Sequence, residues 1–250
     1  NLLFLFTMKK TLFCLTTVLF IFLCFNAHSQ TQIKRLGLQT GFNLAKVKFL
    51  DSDYNDLGMN DGIEAAPTFS AGFLSESGAN KYMTTKVGLF YSGKGVRGED
   101  DYSLQLHYVQ LPLIFNLRVP IAGPVFLQGS IGGYAGYAFM GKEEDAGTNE
   151  DILKFSEEYV VMTMPGEEEV GKPYNPLDMG LIFGGTLEFV MPKGKILEFS
   201  VDYEIGLWNI TNDWKLTSSS DAVNPMMRNR MLSFKLAYLF DLDYESAVEE

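Results

Sequence analysis

Eight ionisable side chains stand out because each is the polar member of a run in which every second residue is apolar: Glu64, Lys86, Arg118, Glu188, Glu198, Asp202, Glu204 and Lys235. Both signs are present. If the runs enclose one interior, these charges must pair or stay hydrated, because an isolated buried charge costs too much. Two roles are open to them. They form a ladder of ion pairs that fixes strand register, or they line a narrow path for ions.

Other residues offer weaker chemistry. The stretch Gly141 to Asn175 holds ten acids against three lysines, a net charge of −7. Within it Ile152, Leu153, Phe155, Tyr159, Val160 and Met162 are more apolar than a solvated loop requires, so this segment is read as a surface for a protein partner. The other reading is a charged, unpartnered loop. Asp51-x-Asp53-x-Asn55 starts like a calcium loop, but Asp56 stands where the turn glycine belongs and Gly62 where the bidentate acid belongs. These aspartates, with Asp61, are read as a solvated turn, the alternative being divalent ions bridged to lipid phosphate. His107 shares the apolar phase of Val109 with no Ser two residues away, which fits an interfacial imidazole and no hydrolytic dyad. Gly129-x-x-Gly132-Gly133-x-x-Gly136 has no helix after it, so it marks strand curvature and no nucleotide loop. No catalytic, cofactor-binding or metal-binding residue is assigned, and the chain is read as no enzyme.

The elements that carry these residues are strands. Period-two alternation dominates from Arg35 onward, in eight segments centred near Thr40, Thr68, Val87, Leu113, Gly132, Phe183, Asp202 and Leu236. Each is ten or more residues long, enough for a tilted strand to cross a membrane. Joins at 76–80, 119–123 and 192–194 are short, whereas those at 50–62, 141–175 and 211–225 are long. Short turns alternating with longer outer loops are the pattern of an outer-membrane barrel; only the join at 98–101 is shorter than expected. The apolar phase carries Phe, Tyr and Leu, and the polar phase carries Gly, Ser and Thr, which fit a narrow lumen. Phe73, Tyr91, Phe115, Phe139, Phe189 and Phe240 are read as interfacial aromatics.

Composition agrees. The 250 residues are 46% hydrophobic and 20% charged, with a net charge of −11, which disfavours nucleic acid as a partner. Residues 8–29, from Met8-Lys9-Lys10 through an apolar run to Ala27-His28-Ser29, read as a cleaved signal peptide, and 1–7 as an over-extended gene start. Cleavage would remove both cysteines and leave 18 cations against 31 acids, a charge of −13. A disulfide framework or Cys/His zinc site is then excluded.

The runs Tyr108-Val-Gln-Leu-Pro-Leu113, Gly123-Pro-Val-Phe-Leu-Gln-Gly129, Met179-Gly-Leu-Ile-Phe-Gly-Gly185, Tyr203-Glu-Ile-Gly-Leu-Trp-Asn-Ile210 and Asn229-Arg-Met-Leu-Ser-Phe-Lys-Leu-Ala-Tyr-Leu-Phe240, with the opening Gly37-Leu-Gln-Thr-Gly-Phe-Asn43, resemble the PorT-like outer-membrane β-barrel family of Bacteroidetes-type bacteria. The resemblance spans nearly all of the chain after the signal. It implies an eight-stranded barrel, and a place beside a secretion or envelope complex. The acidic tail 241–250 departs from such barrels, which end on an aromatic like Phe240.

The expectation is therefore an all-β, eight-stranded antiparallel up-and-down transmembrane barrel over 30–240, in the outer membrane, acting as a scaffold through its outer loops. Its expected partners are outer-membrane lipid, lipopolysaccharide and an envelope protein. The alternatives are a soluble periplasmic lipocalin-like barrel binding an apolar ligand, a narrow ion channel, or an outer-membrane lipid hydrolase.

Overall fold

In an extended strand successive side chains point to opposite faces, so the alternating segments leave each strand with one apolar and one polar face. The computed structural model describes residues 33–49, 64–98, 103–144, 151–153, 159–164, 167–171, 174–211 and 226–242. The signal segment, the Asp51–Asp61 cluster and the acidic tail beyond Leu242 lie outside these. Among the described residues no helix is long and apolar enough to cross a membrane.

The strands are β1 (Ile33–Phe49), β2 (Ala66–Asn80), β3 (Met83–Arg97), β4 (Ser103–Ala122), β5 (Val125–Glu144), β6 (Asp151–Leu153), β7 (Tyr159–Met164), β8 (Glu167–Gly171), β9 (Leu177–Met191), β10 (Lys195–Gly206) and β11 (Met227–Asp241). Antiparallel pairing runs β1-β2-β3-β4-β5-β9-β10-β11 and closes through β1 against β11, giving the expected eight-stranded up-and-down barrel. β6 pairs with β5, and β7 with β8, within the long join.

Closure satisfies the ladder without leaving an edge. A closed ladder cannot unzip from one end, so the folded chain should resist detergent until heated. Unboiled and boiled samples are expected to migrate differently on a denaturing gel; identical migration would mean an open sheet.

The apolar phase faces out. Leu38, Phe73, Leu117 and Ile131 are each more than half exposed, while Glu76, Glu188, Glu198 and Asp178 are buried in the lumen. This inverts the arrangement of a water-soluble barrel, whose interior would hold the bulky apolar side chains.

Three short turns join strands at one end. Asn80 Oδ1 accepts hydrogen bonds from the Tyr82 and Met83 amides, both at 2.9 Å, and so folds the β2–β3 turn. Gly123 opens the β4–β5 turn in the left-handed region, and Lys193 and Gly194 do the same between β9 and β10. The turns expected at 76–80 and 119–123 are narrower than the sequence suggested. Glycine and proline often end a strand, yet Gly78 pairs with Ile33 and Pro120 with Phe126, so strand persists almost to the reversal.

At the long-loop end Phe69, Tyr91, His107 and Phe139 form a chain of ring contacts across β2 to β5. Phe189 meets Phe199, and Tyr238 meets Phe240, near the short-turn end. These suit interfacial girdles. Phe73 and Phe115 differ from expectation: each lies seven residues from the nearest strand end, inside the apolar belt.

Candidate functional site

An eight-stranded barrel is just wide enough to be filled by its own side chains. Here the filling is ionic. Near the short-turn end three cations and three acids meet. The Arg35 Nη1 donor lies 2.9 Å from Glu76 and 3.3 Å from Glu188. Arg118 grips Glu188 with two nitrogens, Nε at 2.8 Å and Nη2 at 2.5 Å. Lys86 Nζ lies 2.8 Å from both oxygens of Glu198. Gln128 donates to Glu188 and Glu198 and accepts from Lys86, linking the pairs. Thr84 closes the set, donating to Glu76 at 2.6 Å.

A second cluster lies toward the long-loop end. Lys94 Nζ is 3.0 Å from Asp178 and 3.3 Å from Glu204, with its ammonium 3.8 Å from the Tyr134 ring centroid. Lys235 lies 3.0 Å from Asp202 and 3.7 Å from Glu204. Asn229 and Tyr134 both donate to Asp178 Oδ2, and Gln110 donates to Glu204. Gly180 makes room for this, because a Cβ there would sit 2.7 Å from a Tyr134 ring carbon. Desolvated charges in such geometry hold one another only while every partner is present.

The register shows what these pairs connect. β3 and β10 are four places apart in a ring of eight, so they are opposite walls. Lys86–Glu198 and Lys94–Glu204 both run between them. Each is a strut across the lumen.

Between the clusters lies a cavity of about 40 Å³, lined in part by Gln39, Ser70, Ser92, Asn116, Ser130 and Ser200. It has room for only a few water molecules. Ser92 Oγ and Gln110 Oε1, both lining residues, are buried with no protein partner. Above the second cluster the mouth is stopped by an apolar group including Val47, Val96, Leu104, Leu106, Tyr174 and Ile210. Asn209 braces this stopper by accepting from the Thr211 amide at 3.3 Å and the Met227 amide at 2.9 Å.

Of the eight charges singled out from sequence, Lys86, Arg118, Glu188, Glu198, Asp202, Glu204 and Lys235 come together in the lumen. Glu64 does not. It has the inward phase, but β2 leaves its ladder with β1 at Ala66, so Glu64 stands exposed at the rim in a backbone bridge with Arg97.

Sequence reasoning missed Arg35, Glu76, Lys94 and Asp178. All four lie in the inward phase of their strands, but at or beyond the ends of the alternating segments, where the polar–apolar contrast fades. Extending the phase by a few residues would have found them.

His107 lies on the outward side, with Nδ1 2.6 Å from the Tyr91 hydroxyl. Its placement is that of an interfacial ring. Ile152 and Leu153 fall in β6, and Tyr159 and Val160 in β7, but their side chains, and all of Phe155, lie outside the described residues. Among the described residues no group of three or more His, Cys, Asp or Glu is arranged to hold a metal ion.

Comparison with known proteins bears on this architecture. A family model described as an outer membrane protein β-barrel domain matches residues 28–212. No curated protein matches the chain. Among solved structures, the attachment invasion locus protein Ail of Yersinia pestis is 12% identical, covering 84% of this chain and 100% of its own, with a TM-score of 0.39. Neisserial surface protein A is 10% identical, covering 83% and 97%, with a TM-score of 0.42. A major outer membrane protein of Thermus thermophilus is 10% identical, covering 82% and 99%, with a TM-score of 0.43. The family model spans most of the sequence, and the apolar exterior and polar lumen are what such a protein requires, so the chain belongs to the outer-membrane β-barrel family.

Proposed function

We propose that this outer-membrane barrel is a non-enzymatic, non-conducting scaffold that presents segment 141–175 to a protein of the cell envelope, as a PorT-like accessory of an envelope or secretion complex. The observation that carries this reading is the pair of struts, Lys86–Glu198 and Lys94–Glu204, spanning the lumen between opposite walls. With the apolar stopper above them, they leave the interior to support the wall. The lumen charges, on this reading, set register and stiffness and move nothing.

The length of the 141–175 join supports the second half of the proposal. β4 and β5 are each 20 residues long, and β6 continues the ladder from β5, so the wall is tallest where this segment begins. Long joins on rigid scaffolds are where binding residues concentrate.

A photo-crosslinking residue at Tyr159 should join the protein to one envelope partner in intact cells. Deleting 146–172 should abolish that product and preserve the heat-dependent gel shift. Planar-bilayer recordings should show no steady conductance. Open-channel steps would overturn the non-conducting half, and an unchanged crosslink from a probe elsewhere after the deletion would overturn the loop's role.

A further inference from the structure

We infer that the outward face of the β1–β11 seam is a binding site for a phosphorylated glycolipid of the outer leaflet. Four cations meet there. β1 and β11 pair in register so that Lys46 lies opposite Arg230 and Lys48 opposite Arg228. All four share the phase of the exposed residues Phe42 and Phe234, so they point away from the lumen. Cross-strand partners lie about 5 Å apart, and successive rungs on one face roughly 7 Å apart, so four positive heads occupy one small patch.

Such an arrangement needs an explanation. Like charges directly opposite one another destabilise a strand pair, and this chain has 31 acids to 20 cations, so carboxylates were available. None is used. Among the described residues no carboxylate pairs with any of the four. Among the described residues Arg230 donates to the Gly206 and Asn229 carbonyls alone, at 3.0 and 3.4 Å. The Nε of Arg228 is buried without a partner. A phosphate group placed over the patch would relieve the repulsion and fill these donor sites with charge-assisted hydrogen bonds.

The position selects a lipid as the source of that phosphate. The cationic rungs lie at the long-loop end, which in this family faces outward. Directly below come Leu44 opposite Leu232, then Phe42 opposite Phe234. Farther down the same seam, Thr40 and Ala71 leave a shallow apolar groove bordered by Leu38, Phe73, Leu236 and Tyr238. The exposed Trp208 follows Ile205 of β10, which is the residue opposite Arg230, as an aromatic does at the headgroup level. A headgroup phosphate on the quartet and an acyl chain along the groove match this order of polar and apolar rungs. A free anion would use only the upper half.

The test is binding of lipid A to the folded full-length protein in neutral detergent, read by native mass spectrometry. The variant carries Lys46→Gln, Lys48→Gln, Arg228→Gln and Arg230→Gln together. The control carries Lys81→Gln, Lys193→Gln and Lys195→Gln at the short-turn end. Wild type should retain phosphorylated lipid A, the quadruple variant should bind it on the order of a hundredfold more weakly, and the control should change by less than about twofold. Phosphatase-treated lipid A should bind wild type as weakly as the quadruple variant binds the intact lipid, and millimolar inorganic phosphate should not displace the lipid. Equal retention by wild type and quadruple variant, indifference to phosphatase treatment, or displacement by inorganic phosphate would each overturn the proposal. If the quadruple variant lacks the heat-dependent gel shift, Arg228→Gln alone carries the test, with a several-fold loss expected and wild-type affinity overturning it.

Discussion

Exchanging Lys94 for Met is expected to lower the unfolding free energy of the barrel by about 3–5 kcal/mol, because it leaves buried acids without their counter-charge. Lys94 is 1% exposed and Asp178 fully buried, so water does not take the place of the lost ammonium. The second cluster already holds three acids, Asp178, Asp202 and Glu204, against Lys94 and Lys235. Removing Lys94 leaves one cation for all three. The companion substitution Asp178→Asn in the Lys94→Met background should recover part of the loss, since the remaining amide needs no cation. Urea titration of vesicle-reconstituted protein, followed by the fluorescence of Trp208 and Trp214, reads both effects. Lys48→Met at the exposed rim is the comparison and should stay within about 0.5 kcal/mol of wild type. If Lys94→Met shifts the transition no more than Lys48→Met, the struts contribute nothing to stability.

The second large effect is expected on the opposite face. Val201 is half exposed, midway along β10, with Phe199 and Tyr203 outward on either side of it. In the membrane its neighbours are acyl chains, and Val201→Arg should cost about 2–4 kcal/mol. The same substitution on a water-soluble barrel would be close to neutral, since an arginine on a solvated strand is well tolerated. The sign of the experiment therefore distinguishes the two settings. A Val201→Arg protein as stable in vesicles as wild type would mean that this face does not meet lipid.

Together the two substitutions divide the barrel by physical cause. The exterior is stabilised by matching hydrocarbon, where one added charge is costly. The interior is stabilised by paired charges, where one removed charge is costly. A filled, cross-braced lumen also explains why the wall remains regular beneath a join as long as 141–175.

Much of this was legible in the linear sequence. Strand number and strand phase follow from alternation, which is a local property written in about ten residues at a time, and the outward direction of the apolar phase follows from its bulk beside the small residues of the polar phase. The long and short joins were legible for the same reason. The lumen positions of Lys86, Arg118, Glu188, Glu198, Asp202, Glu204 and Lys235 needed only their phase. Glu64 shows the limit of that reasoning, because phase has meaning only while a strand remains in its ladder, and β2 leaves the β1 ladder at Ala66.

What alternation does not encode is height. Whether Lys94 meets Glu204 or Glu198 depends on the stagger that closure imposes between walls, a quantity no single strand contains. The same holds for the β1–β11 seam, whose Lys46–Arg230 and Lys48–Arg228 rungs join residues from the two ends of the chain. Local periodicity thus sorted the residues into two faces, and the bulk of the apolar face against the small residues of the polar one marked which of the two meets lipid. Only the closed tertiary structure decided who meets whom, because pairing across a barrel is set by the shear of the whole sheet.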